Sequence, residues 1–315
     1  MDKRSFFCVF FVIDLTLSSG LYKIASCVCF ALINFLLKTI HLPASQVTCF
    51  ESLFAAILLW SISVKRSQPS SANPLTPHSE ERSNPPEDAY WKNPLYWIRA
   101  ALALFSSWLW VMSMQKLPLL QSVSMGFLSP FVTILGARFF LKERLTFWRI
   151  LAVLLAFLGG TLISFGGRVQ GLGLDPWVLA PLLTTVLFAT INLISKSLLS
   201  HTPPLILTRS LMMMTGLSWL CIGFFRDYDQ WVMPSFDQWL QFTALGVLAA
   251  GAHMCSHLAM ARADVIALLP LGVIRLVLSG VLGWVFLQER PSFWLICGII
   301  CVIGASSCLS WHLKK

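Results

Sequence analysis

The chain has 315 residues, 57% of them apolar and 12% charged, and its 23 Lys and Arg against 14 Asp and Glu give a formal net charge of +9. Soluble domains carry about 45–50% apolar and about 25% charged residues, so this composition excludes an ordinary soluble domain. The basic excess is scattered along connecting segments instead of clustering on one helix, which argues against a nucleic-acid surface and for the positive-inside bias of a polytopic membrane protein.

A bilayer-spanning helix needs about 20 mostly apolar residues, because lipid offers no hydrogen-bond partner and a helix satisfies its own backbone. Residues 1–20 precede the first such stretch. There Lys3 and Arg4 lead into the apolar run Phe6–Ile13, the outline of a signal-peptide core. Asp14 interrupts the run and a second apolar stretch follows at once, so the segment is expected to be an interfacial or misassigned N-terminal extension. Ten spans then follow, over approximately 21–40, 43–62, 97–115, 120–141, 148–165, 176–196, 204–225, 240–260, 266–287 and 293–311, with 312–315 as a tail. Between the second and third lies 65–96, rich in Ser, Pro, Asn and Glu, a composition too polar to order itself and expected to be a flexible cytoplasmic loop. With the N-terminus inside, cytoplasmic segments hold thirteen Lys and Arg, Lys23 among them, and the opposite side holds Lys116, Arg168, Arg226 and Arg290. Both termini are therefore expected in the cytoplasm. The cysteines lie mostly within spans, where they act as small apolar residues, and no spacing marks a disulfide framework or a zinc site.

Two internal matches organise the chain. FALINFLLK (30–38) aligns with FATINLISK (188–196) at an offset of 158, and LKERLTFWRI (141–150) with LQERPSFWLI (287–296) at an offset of 146. The second register extends back to Met114 over Met260 and Lys116 over Arg262, and the longer 65–96 loop absorbs the change of offset. The expected fold is an all-α membrane protein of ten transmembrane helices in two inverted five-helix repeats, 21–165 and 176–311, joined by the connection 166–175. Odd helix number per repeat inverts the second half, the geometry of alternating access.

On these features the chain resembles the EamA-like ten-helix carriers of the drug/metabolite transporter superfamily. The resemblance rests on Asn34 and Lys38 repeated as Asn192 and Lys196, and on the fourth helix, MGFLSPFVTILGARFFLKERLTFW, with its counterpart LLPLGVIRLVLSGVLGWVFLQERPSFW. The stretch 256–289 and the two Asn-xxx-Lys helices further resemble the S-adenosylmethionine transporters of intracellular bacteria, and imply a bacterial inner-membrane location. This chain departs from that pattern in carrying Glu51 where relatives carry Arg, and Arg275 where they often carry an acid.

A charged side chain at a helix centre costs about 2.5–3.5 kcal/mol on insertion scales, so such residues face partners or a cavity. Arg275 is either an anion contact or one member of an ion pair. Glu51 is either its partner or a proton-coupling carboxylate. Asn34/Lys38 and Asn192/Lys196 are i, i+4 pairs that either line a cavity or place a snorkelling lysine at a helix end. His253 and His257 share one helix face and form a polar wall, a relay or interhelical hydrogen bonds; no acid nearby completes a metal site. Arg209 is a further intramembrane cation. Trp108 and Trp110 point to different sides, so one of them at most lines a cavity, and Trp108 is taken as that wall. Pro130 and Pro270 interrupt helices four and nine, freeing carbonyls for hinge or binding roles.

The expected function is secondary transport of a small organic metabolite, with S-adenosylmethionine or a related amino-acid derivative as its substrate. The alternative within transport is an exporter of amino acids or drugs; the alternatives outside it are a membrane-embedded enzyme or a receptor. No HExxH motif, phosphate-binding glycine loop or paired acid–histidine constellation supports catalysis, so no catalytic residue, cofactor or metal is expected. The expected partners are the solute, the bilayer, and a counter-substrate or proton, for a monomer or homodimer.

Overall fold

The computed structural model describes residues 3–67, 93–126, 128–129, 131–132, 150–151, 154–155, 157–159, 162, 177, 179–225, 228–263, 268, 270–289 and 292–312. Residues 68–92 of the expected 65–96 loop, the end of helix four with Glu143, Pro130, most of helix five, the 166–175 connection and the last three residues lie outside them, while 65–67 and 94–96, expected in that loop, belong to helices. Among the described residues the fold is all-helical. The principal helices are α1 Lys3–Thr39, α2 Ala44–Ser67, α3 Pro94–Lys116, α4 Leu119–Gly126, α5 Leu179–Leu198, α6 Pro204–Phe225, α7 Phe236–Arg262, α8 Val273–Phe286 and α9 Phe293–His312.

Six of these helices are long and apolar enough to cross a membrane: Ser18–Thr39, Ala44–Val64, Pro94–Lys116, Leu179–Leu198, Pro204–Phe225 and Phe236–Arg262. They coincide with six expected spans. Shorter apolar helices at Ile274–Phe286 and Ile296–Ala305 fall on the expected ninth and tenth. The expected N-terminal extension is not a separate element, since one helix runs unbroken from Lys3 to Thr39.

Local chemistry sets the helix boundaries. Pro43 biases Leu42 away from helical geometry and so divides α1 from α2. Asn93 caps α3 by accepting from the Leu95 amide at 3.0 Å, and Pro94 sits in the first turn, where its missing N–H costs nothing. Pro118 follows the C-cap Leu117 and starts α4 in a new direction. Ser235 and Gln238 form a reciprocal capping box at the start of α7.

The packing is two-sided: each helix turns one face to a shared core and another outward. Ile57, Phe224, Phe225 and Leu240 point outward, as lipid-facing side chains do, while Val47, Ala55, Phe242, Leu245 and Ala249 are fully buried. The middle helix of the core, α2, lies between α6 and α7. Two glycines permit that approach: a Cβ at Gly246 would collide with Phe54 Cβ, and one at Gly216 would fall 2.9 Å from Leu53 Cδ2.

Helix pairing follows the sequence repeat. At the offsets 158 and 146, α1 corresponds to α5, α2 to α6, α3 to α7 and α4 to α8. The α1–α7 contact has its counterpart in α5–α3, α1–α8 in α5–α4, and α2–α7 in α6–α3. Even single hydrogen bonds repeat. Cys27 Sγ donates to the Leu271 carbonyl at 3.5 Å, and the equivalent Thr185 Oγ1 donates to the equivalent Met125 carbonyl at 3.0 Å.

Candidate functional site

Helices α1 to α8 all contribute to one cavity of about 280 Å³. Its lining reads off helical periodicity. On α1 the inward stripe is Lys23, Cys27, Phe30, Asn34 and Leu37, spaced three or four residues apart. On α3 it is Arg99, Ala103, Ser106, Ser107, Trp110 and Val111. The second repeat supplies equivalent positions: Phe188, Ile191, Asn192 and Ser195 on α5 stand at the offsets of Phe30, Ile33, Asn34 and Leu37. Likewise Gly272 matches Gly126, and Arg275 matches Ser129.

Two arginines reach the cavity in opposite states. Arg99, 2% exposed, is fully engaged. Its Nε donates to Ser195 Oγ at 2.8 Å, one terminal nitrogen to the Leu207 carbonyl at 3.2 Å, and the other lies 3.2 Å from His257 Nε2. A guanidinium only donates, so His257 Nε2 must accept and the imidazole carries its proton on Nδ1. That proton goes to Thr208 Oγ1 at 2.7 Å, and Thr208 in turn donates to the Pro204 carbonyl at 2.7 Å. The chain of donors is complete and ties α3, α5, α6 and α7 together.

Arg275, by contrast, lies between two aromatic faces. Its guanidinium carbon is 5.0 Å from the Phe30 ring centroid and 5.2 Å from that of Trp110. Such cation–π contacts offset part of the cost of burying the charge. Among the described residues its Nε has no hydrogen-bond partner. Trp110 Nε1 donates to Asn34 Oδ1 at 3.2 Å, and Asn34 Nδ2 is also buried without a partner. His253 completes this wall with an edge-on contact to Phe30 at 5.2 Å.

The remaining expected site residues divide sharply. Asn192, His253 and His257 line the cavity, as do Asn34 and Arg275. Glu51 lines it too, yet among the described residues no ion pair joins Glu51 to Arg275; aromatic faces take the place of the expected carboxylate. Lys38 and Lys196 are not lining residues. Lys38 Nζ donates to the Leu117 carbonyl at 2.7 Å, and Lys196 Nζ to the Met260 and Ala263 carbonyls at 2.7 and 3.1 Å. Leu117 and Ala263 are the C-caps of α3 and α7 and are equivalent in the repeat, so each lysine satisfies the orphan carbonyls and the negative dipole end of the same helix in its half.

Arg209 also leaves the site: it donates to Ser63 Oγ at 2.9 Å and stacks 4.7 Å from the Trp60 centroid, joining α6 to α2. Trp108 packs against the hydrophobic core and stacks with Phe105 at 6.2 Å, so Trp110 is the cavity tryptophan. Lys23, assigned from sequence to a cytoplasmic segment, sits within the first span and lines the cavity. Glu289 accepts from the Leu119 amide with both oxygens, at 3.0 and 2.9 Å, and so caps α4 as a helix-end residue. Among the described residues no group of three His, Cys, Asp or Glu side chains converges on a metal position.

Arg99 is the residue sequence reasoning passed over, and Trp110 was weighed there but set aside for Trp108. Their signal was present: Arg99, Ala103, Ser106 and Trp110 fall on one helical face that carries the small and polar residues of an otherwise apolar span.

The sequence model of the EamA-like transporter family matches residues 17–165 and 175–311. A riboflavin transporter of Brucella anthropi is 27% identical over 223 residues, covering 67% of this chain and 74% of that protein. One from Rhizobium johnstonii is 30% identical over 220 residues, covering 66% and 67%, and one from Vibrio cholerae is 26% identical over 219, covering 66% and 68%. A crystal structure with 20% sequence identity superposes with a TM-score of 0.65 over 95% of this chain and 99% of that one, a likeness of fold alone.

Proposed function

This chain belongs to the EamA-like transporter family, and we propose that it carries riboflavin, or a closely related planar heteroaromatic metabolite, by alternating access of two inverted five-helix halves. It is an integral membrane transporter of small molecules; substrate and mechanism are the proposal. The observation that carries it is the cavity itself. Residues at equivalent repeat positions from both halves line one space, as expected of a site on the axis between two inverted halves. Its Phe30 and Trp110 offer ring faces to a flat ligand, and its serines, asparagines and threonines offer hydrogen bonds to hydroxyl groups.

The flavin reading draws on the printed function of the three relatives and on the lining chemistry together. Fold alone would not choose a substrate. S-adenosylmethionine, expected from the sequence resemblance, gains no support from these relatives. Its sulfonium and ammonium groups would also enter a wall that presents Lys23, Arg99 and Arg275 against Glu51. Both termini in the cytoplasm remain part of the proposal, on the distribution of basic residues.

Uptake into proteoliposomes decides between the substrates. Saturable accumulation of riboflavin that excess S-adenosylmethionine leaves unchanged is the expected result. Accumulation of S-adenosylmethionine without riboflavin uptake would overturn the flavin assignment.

A further inference from the structure

Among the described residues, two buried donors in the cavity, Asn34 Nδ2 and Arg275 Nε, have nothing to donate to. Trp110 Nε1 donates and never accepts, so the Asn34 amide must turn its oxygen toward Trp110 at 3.2 Å. That orientation leaves Asn34 Nδ2, on a residue that is 0% exposed, as an unmatched donor. Arg275 Nε is the second. Both side chains touch Trp110, one by hydrogen bond and the other through its ring face. The Arg275 guanidinium carbon lies over the Phe30 and Trp110 rings, which leaves its N–H groups as the donors for a ligand.

An unmatched buried donor costs about 1–3 kcal/mol, and native structures rarely leave such groups without a function. The repeat sharpens this. Where the second half has Arg275 and the first has Trp110, the equivalent positions hold Ser129 and Ser256. Arg275 and Trp110 therefore depart from the repeat, whereas Asn34, the lysine caps and the Cys27 and Thr185 bonds obey it.

We propose that Asn34 Nδ2 and Arg275 Nε form the recognition edge of the cavity, donating to two acceptor atoms on the rim of a planar heteroaromatic ligand that lies against Trp110. The ligand class is a ring with carbonyl oxygens or unprotonated ring nitrogens along one edge. This deepens the transport reading above and rests on it. It assigns specificity to acceptor geometry and not to charge alone.

The test uses two near-isosteric variants of the full-length protein, purified in nanodiscs, with riboflavin fluorescence titration as the readout. Asn34→Asp keeps the oxygen that accepts from Trp110 but loses the donor. Arg275→Lys keeps the cation but loses Nε and the planar fork. Each variant is expected to bind riboflavin at least about tenfold more weakly, the scale of one hydrogen bond to a buried or charged group. Thermal midpoints without ligand are expected to stay near that of the unmutated protein for at least Arg275→Lys. Unchanged riboflavin affinity in either variant would sink the recognition edge while leaving the flavin reading intact. If the unmutated protein binds S-adenosylmethionine and not riboflavin, the flavin reading falls, and the same two variants judge the edge with that ligand, whose adenine also carries ring-nitrogen acceptors. Binding of neither ligand overturns both.

Discussion

The two halves of this protein share a scaffold but not a chemistry. At positions where the repeat is kept, the equivalent residues do equivalent structural work: Lys38 closes the C-terminus of α3 as Lys196 closes that of α7, and Cys27 meets Leu271 as Thr185 meets Met125. Where it is broken, the residue differs in kind. Arg99 stands opposite Leu245, Trp110 opposite Ser256, Arg275 opposite Ser129 and Glu51 opposite Arg209. The cavity wall holds both kinds of position: Phe30 and Phe188, Ile33 and Ile191, and Asn34 and Asn192 are retained there, while Trp110 against Ser256 and Arg275 against Ser129 differ in kind, so the asymmetry of the wall lies in its indole and guanidinium groups.

The comparison makes Arg99 the most costly position to change. Arg99→Met removes the hub that joins four helices and leaves His257 Nε2 without its donor, while the Leu207 carbonyl keeps the Ser210 hydroxyl; the loss is expected at about 2–3 kcal/mol. A drop in the thermal unfolding midpoint of the purified protein, much larger than that of Arg275→Lys, checks it. Equal midpoints would erase the distinction between the closed network and the open one.

Lys38→Met and Lys196→Met should each cost about 1–2 kcal/mol, the range of a partly buried cation at a helix C-terminus. Their effects on stability should be alike, and the affinity for transported ligand should stay near that of the unmutated carrier. A selective loss of affinity in one of them would show that the repeat had diverged in function at a position where it has not diverged in sequence.

The smallest effect concerns Glu51 and Arg275, which share the cavity without an ion pair among the described residues. In a double-mutant cycle, Glu51→Gln and Arg275→Gln should add to within about 0.5 kcal/mol, as independent sites do. A larger coupling energy would restore the pair, and would place it in the other conformation of the transport cycle.

How much was legible beforehand depended on whether a feature lives within one helix or between helices. The boundaries of α2, α3, α6 and α7 follow from Pro43, Asn93-Pro94, Pro204 and the Ser235–Gln238 box, all local signals. Asn34 and Arg275 were legible as site candidates because polar groups inside a span demand an explanation. Lys38 and Lys196 stayed open between lining the cavity and serving a helix end. Their partners lie 79 and 67 residues away, at Leu117 and Ala263, and no local pattern shows a lysine reaching another helix's end.

The sequence by itself determined that this is a helical membrane protein and that its two parts repeat, because lipid forces each span to satisfy its backbone internally and so writes it as a long apolar run. The matches at 158 and 146 residues likewise needed no coordinates. Only the tertiary structure decided which face of α3 turns inward, and so that Trp110 and not Trp108 meets the cavity; that Arg99 is saturated while Arg275 is not; and that Glu51 and Arg275 stand apart. Those outcomes depend on the rotation of each helix about its axis and on distances of a few ångströms between helices. Glycines such as Gly216 and Gly246 set that approach, and a one-dimensional hydropathy pattern does not encode it.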